Sequence, residues 1–317
     1  MIAEPGAPHV VAAGHVCLDV IPTIAEMPRL RASSLMVAGP AALSTGGAVA
    51  NVGLALHRLG VPVRLMGKVG DDPFGRVVLD LLRARDAGLA DGMIVAPGET
   101  TSYSLVFSPP GVDRAFVHCP GANDTFGAGD VGLDGLAGAR VFHFGYPPIM
   151  RRLYSDGGAE LHALLAAVRA RGLAISLDVC HPDPQGTAVS VDWPALLARV
   201  LPAVDVFEPS LDELGILLGA PAHDPADLAQ LRALARQVLA MGPAVVALKL
   251  GDQGLYLRTA PEGDALEHLC GTLSLDPAAW SDREVLSPCF RAEVTGTTGS
   301  GDSTIAGLIA ALLRGDD

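Results

Sequence analysis

Large apolar residues near the C-terminus recur at Ile305, Leu308, Ile309, Leu312 and Leu313, the spacing of one face of an amphipathic helix. The same spacing predicts a helix opened by Pro73, with Phe74, Val77, Val78, Leu81 and Leu82 on one stripe and an end near Gly88. Leu161, Leu164, Leu165 and Val168 mark another, and short helices follow at 193–201, Leu211–Leu218 and Leu228–Leu239. Between these stripes lie short, mostly apolar runs: His9–Val20, Val63–Asp72 (a strand and a turn), Val141–Gly145, Leu173–Val179, Val204–Phe207 and Ala244–Leu250. Runs of that length read as buried strands, and His9–Val20 divides at Gly14 into a strand, a turn and a second extended piece. Strands alternating with helices predict an α/β fold of three α/β/α layers around a mostly parallel sheet.

Two stretches break the alternation. Residues 22–38 are Pro-rich and aperiodic, and residues 93–118 read as short strands around the Ser108-Pro109-Pro110-Gly111 turn. Excursions at about 20–40 and 95–118 predict a small β lid on a single α/β domain spanning 1–317. Residues 260–290, rich in Pro, Asp and Ser, read as a loop-heavy connection. No internal repeat is present.

The composition narrows the class. Hydrophobic residues make up 50% and charged residues 18% of 317, a globular balance with no apolar run of membrane-spanning length and no basic-then-apolar leader. A cytoplasmic protein with no membrane partner is expected. The formal charge of −13, with no local Lys/Arg cluster, argues against nucleic acid as a partner. Five widely spaced cysteines without a C-x-x-C pair indicate neither a disulfide framework nor a zinc site, and read as mostly reduced core thiols.

Candidate chemistry gathers at glycine-rich helix starts. Val294-Thr295-Gly296-Thr297-Thr298-Gly299-Ser300-Gly301-Asp302 runs into the last helix, where unpaired N–H groups and the positive end of the helix dipole attract an anion. Asp302 beside a bound phosphate would repel it, so its placement calls for a reason, such as accepting a proton from an attacking hydroxyl. An ordinary first-turn helix acid is the alternative. Ser44-Thr45-Gly46-Gly47-Ala48-Val49-Ala50-Asn51 forms a second glycine-led helix start, which Gly60 can end. Asp19, a charge among apolar residues, is either an edge or solvent-facing acid or a partner for a ligand hydroxyl. Gly127-Ala128-Gly129-Asp130 repeats the Gly-x-Gly-Asp string, but the glycines that follow are too frequent for a stable helix. In a parallel sheet ligands bind beyond the carboxyl ends of strands, where Asp178, Glu208, Gly251 and Gly254 fall.

There is no G-x-x-x-x-G-K-[ST] loop and no G-x-G-x-x-G after the first strand. The order of features nevertheless resembles the ribokinase-like (PfkB) carbohydrate kinase family over nearly the whole chain. Gly46-Gly47-Ala48-Val49-Ala50-Asn51 with Gly70-Asp71-Asp72-Pro73-Phe74-Gly75 is similar to its N-terminal signature, and Gly296–Asp302 to its C-terminal D-T-x-G-A-G-D signature. The resemblance implies ATP-dependent phosphorylation of a sugar-like alcohol, with Asp302 as catalytic base and Gly299, Ser300 and Gly301 as the anion hole. It implies Asp19, Gly46, Gly47 and Asn51 as sugar-binding residues. Gly251, Gly254, Lys249 and Thr297 fall on the nucleotide side, and Glu213 organises Mg²⁺ through water. A monovalent cation as further cofactor and a homodimer through lid strands are family features. Because phosphoryl transfer passes through a loose transition state, a strong base is unnecessary, and a helix-start Asp with a lowered pKa would suffice.

The chain departs from the family pattern at three places. Gly296 replaces the leading Asp of the C-terminal signature, Ser210 replaces the Asn of N-x-x-E, and Ala48 replaces the Lys of the ribokinase branch. Only 15 residues follow Asp302, whereas family members usually continue through helices that wall the adenine pocket. A sugar kinase is the leading expectation and a nucleoside kinase of the same fold its nearest variant. A sugar- or nucleotide-binding protein with impaired catalysis is a different class, and a dinucleotide-dependent enzyme ranks last for want of its fingerprint.

Overall fold

The computed structural model describes residues 9–29, 31–33, 35–220, 223–291 and 298–316. Its strands are β1 (Val10–Gly14), β2 (Cys17–Pro22), β3 (Ala41–Gly46), β4 (Val63–Met66), β5 (Lys68–Gly70), β6 (Ile94–Ala96), β7 (Tyr103–Phe107), β8 (Ala115–Cys119), β9 (Val141–Gly145), β10 (Ala174–Asp178), β11 (Val206–Phe207), β12 (Val245–Lys249), β13 (Leu255–Thr259) and β14 (Glu284–Ser287). The α-helices are α1 (Ala48–Arg58), α2 (Pro73–Arg83), α3 (Arg151–Tyr154), α4 (Ala159–Arg169), α5 (Trp193–Val200), α6 (Leu211–Leu217), α7 (Leu228–Leu239), α8 (Asp264–Leu273), α9 (Pro277–Trp280) and α10 (Ser300–Arg314).

Eight strands form the large sheet in the order β14-β13-β12-β11-β10-β9-β1-β4. The six from β12 to β4 are parallel, and β13 and β14 close one edge antiparallel. Side chains alternate between the faces. Phe142, Phe144, Ile175, Leu177 and Val246 pack beneath α4, α5, α6 and α7; Val10, Val141, Ala174, Val245 and Ala247 pack beneath α1, α8 and α10. This is the three-layer arrangement expected from the alternation. A second, four-stranded sheet has the order β3-β2-β7-β8.

Four local expectations are corrected. Residues 260–290 are not mainly loop: they contain α8, α9 and β14, and Leu266, Leu269, Cys270 and Leu273 are buried at helical spacing, which the polar composition around them obscured. In the 20–40 excursion the strands lie at its margins, since β2 ends at Pro22 and β3 begins at Ala41. α2 stops at Arg83 and a separate turn covers Ala87–Ala90, because the apolar stripe ends at Leu82. All five cysteines are free, but only Cys17 and Cys270 are buried, and Cys289 is exposed. The second Gly-x-Gly-Asp string forms short 3₁₀ turns rather than a helix.

Candidate active site

Parallel strands end together, and here the ends of β1, β9, β10 and β12 bring Gly14, Gly145, Asp178 and Lys249 to one rim of the sheet. α10 begins over that rim. Its N-cap, Gly299, is left-handed with φ 76°, a conformation that favours glycine because it has no Cβ to clash. Ser300, Gly301 and Asp302 then supply the first-turn N–H groups that have no partner within the helix.

Asp302 is only 4% exposed. Tyr146 donates its hydroxyl to Asp302 Oδ1 at 2.9 Å, and Asn51 donates Nδ2 to Oδ2 at 3.0 Å. Burial raises the Asp302 pKa above the usual carboxylate value, against the pull of these two hydrogen bonds. The expectation of a lowered pKa is therefore wrong in sign: the helix start and two donors do not offset desolvation and the neighbouring Glu213 charge. Tyr146 directly follows β9 in a left-handed conformation, φ 68°, and its N–H donates to the Asp178 carbonyl at 3.2 Å.

The remaining predicted residues divide into two groups around Asp302. On one side lie Asp19 in β2, Gly46 at the end of β3, Gly47 as the N-cap of α1, and Asn51 within it. Asp19 is 8% exposed, which removes the solvent-facing reading, and burial raises its pKa. Cys17 Sγ donates to Asp19 Oδ1 at 3.4 Å. Ser104 Oγ and His118 Nδ1 lie 3.0 Å apart on the next two strands, and His118 Nε2 meets His15 Nε2 at 3.3 Å. Of this polar wall only Asp19 stood out in the sequence; cross-strand pairing assembles the others.

On the other side Lys249 Nζ donates to Asp178 Oδ1 at 2.7 Å and lies 3.8 Å from Glu213 Oε2. Burial opposes the Lys249 charge, but Asp178 and Glu213 outweigh it and hold the ammonium protonated. Glu213 also completes a capping box: Ser210 N–H donates to Glu213 Oε2 at 2.7 Å and Ser210 Oγ accepts from Glu213 N at 3.2 Å. Ser210 thus keeps a helix-capping role where the family pattern has Asn. Gly251 opens the turn after β12 and Gly254 leads into β13; Cys289 Sγ donates to the Gly251 carbonyl at 3.3 Å. Thr297 and Gly296 lie outside the described residues.

Below the rim, Ser176 donates to Glu208, and His143 Nδ1 lies 2.8 Å from Ser176 Oγ. Burial pushes Glu208 up to about 8 and His143 down to about 3. Asp130 lies elsewhere, accepting from Gly127 N at 2.8 Å and 3.7 Å from Lys68.

The description "pfkB family carbohydrate kinase" matches residues 7–317. The chain belongs to that family. Among curated relatives it is similar to Fructokinase-1 of Zea mays, 26% identical over 316 residues, covering 96% of this chain and 83% of the relative. It is also similar to Fructokinase-2 of Oryza sativa subsp. japonica, 25% identical over 317 residues, with 99% and 82% coverage. The fold matches Arabidopsis thaliana ribokinase complexed with ribose and ATP, TM-score 0.74 at 20% identity, covering 98% of this chain and 88% of that one. It likewise matches a putative ribokinase II from E. coli in complex with ATP and Mg²⁺, TM-score 0.70 at 24% identity, with 98% and 87% coverage. This member of the pfkB family is a phosphotransferase acting on an alcohol group. None of its described helices is long and apolar enough to cross a membrane.

Proposed function

We propose that the enzyme transfers the γ-phosphate of ATP to a hydroxyl of a small sugar or sugar-like alcohol, with Asp302 as general base. One observation carries this reading: Asp302 is buried in the first turn of α10, beside unpaired helix N–H groups and held between Tyr146 and Asn51. A carboxylate so placed, with a raised pKa, is a better proton acceptor than an exposed one. The acceptor lies between Asp19, Gly46, Gly47 and Asn51, and the small sheet β3-β2-β7-β8 covers it as a lid. Gly299, Ser300 and Gly301 hold the transferring phosphate, and the Gly251–Gly254 turn with Thr297 serves the nucleotide.

Among the described residues no group of three or more His, Cys, Asp and Glu side chains could hold a metal ion. Glu213, with Asp178 engaged by Lys249 and Asp302 by Tyr146 and Asn51, suits Mg²⁺ carried on nucleotide phosphates and reached through water. Bound there, Mg²⁺ would supply charge neutralisation to the phosphates. The matched structures with ATP, and with ATP and Mg²⁺, support this cofactor set.

The test is an ADP-release assay with Mg·ATP over a panel of sugars and nucleosides, comparing the wild type with Asp302→Asn. Turnover in the variant should drop about 10²- to 10⁴-fold while acceptor affinity is largely kept. An Asp302→Asn enzyme that turns over normally loses the base assignment, and a wild type stimulated by no acceptor loses the kinase assignment.

A further inference from the structure

A second charge at the start of α10 has the wrong sign for its place. The N-terminal end of a helix carries partial positive charge and is stabilised by anions, not cations. Lys249 is nevertheless brought to it. Val245 and Ala247 face the α10 side of the sheet, so strand alternation sends Lys249 to that side as well. A Cβ built on Gly301 would stand 3.5 Å from Lys249 Cδ and 3.6 Å from its Nζ, ordinary contact distances that set the ammonium beside the first turn of α10. Asp178 and Glu213 keep Lys249 charged there. An ammonium and unpaired N–H groups converging on one space are stabilised together by an anion placed between them.

We propose that Lys249, within the nucleotide side, is a catalytic residue that contacts the transferring γ-phosphoryl group, and that Asp178 is the positioning residue that holds it. This rests on the kinase reading above. In the step, the acceptor oxygen bonds to the γ-phosphorus as the bond from that phosphorus to the β–γ bridging oxygen breaks. ADP keeps the electron pair of the broken bond, the hydroxyl proton passes to Asp302, and Lys249 stays protonated throughout. Negative charge on the equatorial oxygens then meets Lys249 on one side and the α10 N–H groups on the other. Such pre-oriented charge lowers the barrier without reorganisation.

The test is a comparison of Mg·ATP and Mg·ADP affinities by calorimetry for wild type, Lys249→Met and Lys249→Arg, with kcat measured alongside. A contact to the γ-phosphate predicts that Lys249→Met weakens Mg·ATP about tenfold or more, leaves Mg·ADP within about twofold, and lowers kcat by about a hundredfold. Lys249→Arg, which keeps the charge, should retain the preference for ATP over ADP. Equal weakening of both nucleotides, or of neither, overturns the assignment. Should Lys249→Met fail to fold because Asp178 is left unpaired, the Lys249→Met/Asp178→Asn double variant removes both charges and reads the same ratio. Binding needs no acceptor, so the two readings fail separately. A wild type that binds neither nucleotide overturns both, whereas one that phosphorylates an acceptor with an unaltered ATP-to-ADP ratio in the variants overturns only the role of Lys249.

Discussion

Tyr146 and Asp302 are 156 residues apart in sequence, yet the Tyr146 hydroxyl donates to Asp302 Oδ1 at 2.9 Å. Burial raises the Asp302 pKa and this hydrogen bond, with that from Asn51, works against the rise. Removing the donor should therefore raise the pKa further, since the bond favours the ionised form. Tyr146→Phe is expected to shift the acid limb of the kcat/KM profile to higher pH. The loss at pH 6 should be about tenfold and smaller at pH 9. A pH–rate profile superimposable on that of the wild type would remove Tyr146 from the control of Asp302.

The same burial has a consequence for stability. A carboxyl whose folded pKa lies above its unfolded value contributes stability that is fully present below the unfolded value and lost as pH rises through the folded one. Asp302→Asn removes this dependence. The variant should melt about 1–3 °C higher than the wild type at pH 8, with the gain disappearing near pH 4. Thermal unfolding at the two pH values checks it, and an equal or lower melting temperature at pH 8 would contradict it.

Much of this arrangement was legible in the sequence because periodicity and strand-end position are local signals. The stripe from Ile305 to Leu313 predicts the helix that carries Asp302, and Leu228–Leu239 is a helix with those same bounds. Tyr146 was not singled out, although it is the first residue after a strand whose end the apolar run Val141–Gly145 already marked. The position rule that pointed to Asp178 and Glu208 would have found it. His15, Ser104 and His118 gave no such signal. Ser104 and His118 meet because β7 and β8 pair in one register, and His15, in the turn between β1 and β2, reaches His118 from outside that sheet; pairing register between distant strands is not written in either strand alone. The sign of the Asp302 shift is not a local signal either: the helix start lies in the sequence, but the desolvation that raises the pKa comes from packing across the whole rim.

Glu208 provides a separate pH signature. It is 1% exposed, burial pushes it from 4.5 to about 8, and Ser176, His143, Asp178 and Lys249 face it. Between those values the folded chain holds a proton that the unfolded chain has released, so stability falls as pH rises across the window. The slope from this one group is up to about 1.4 kcal/mol per pH unit. Glu208→Gln should flatten that part of the stability curve, so that the variant gains on the wild type from pH 5 to pH 8. Parallel curves for the two proteins would show that Glu208 titrates normally.

Asp130 supplies the control for Asp302. It stands in the same Gly-x-Gly-Asp string, but it caps its own short turn and faces Lys68. Asp130→Asn should leave ADP release within about twofold of wild type, since a partly exposed local contact of this kind contributes about 1 kcal/mol or less to stability. Loss of turnover comparable to that of Asp302→Asn would mean that the catalytic acid had been placed at the wrong string.

Gly46 tests the acceptor side without replacing a charged residue. It ends β3 directly beside Asp19, and a Cβ added there would fall inside the Asp19 carboxylate. The backbone of Gly46 is in an ordinary strand conformation, so Gly46→Ala carries no penalty for the turn that follows. What must move is Asp19, whose Oδ1 accepts from Cys17 Sγ and whose strand pairs with Ser44 and Ser104 on either side. If Asp19 binds an acceptor hydroxyl, moving it should raise the acceptor KM about tenfold, the value of one misplaced hydrogen bond to a charged group. The KM for ATP, set on the far side of Asp302, should not change. Steady-state kinetics with each substrate varied in turn separates the two, and a Gly46→Ala enzyme with normal acceptor KM would show that Asp19 is not in contact with the acceptor.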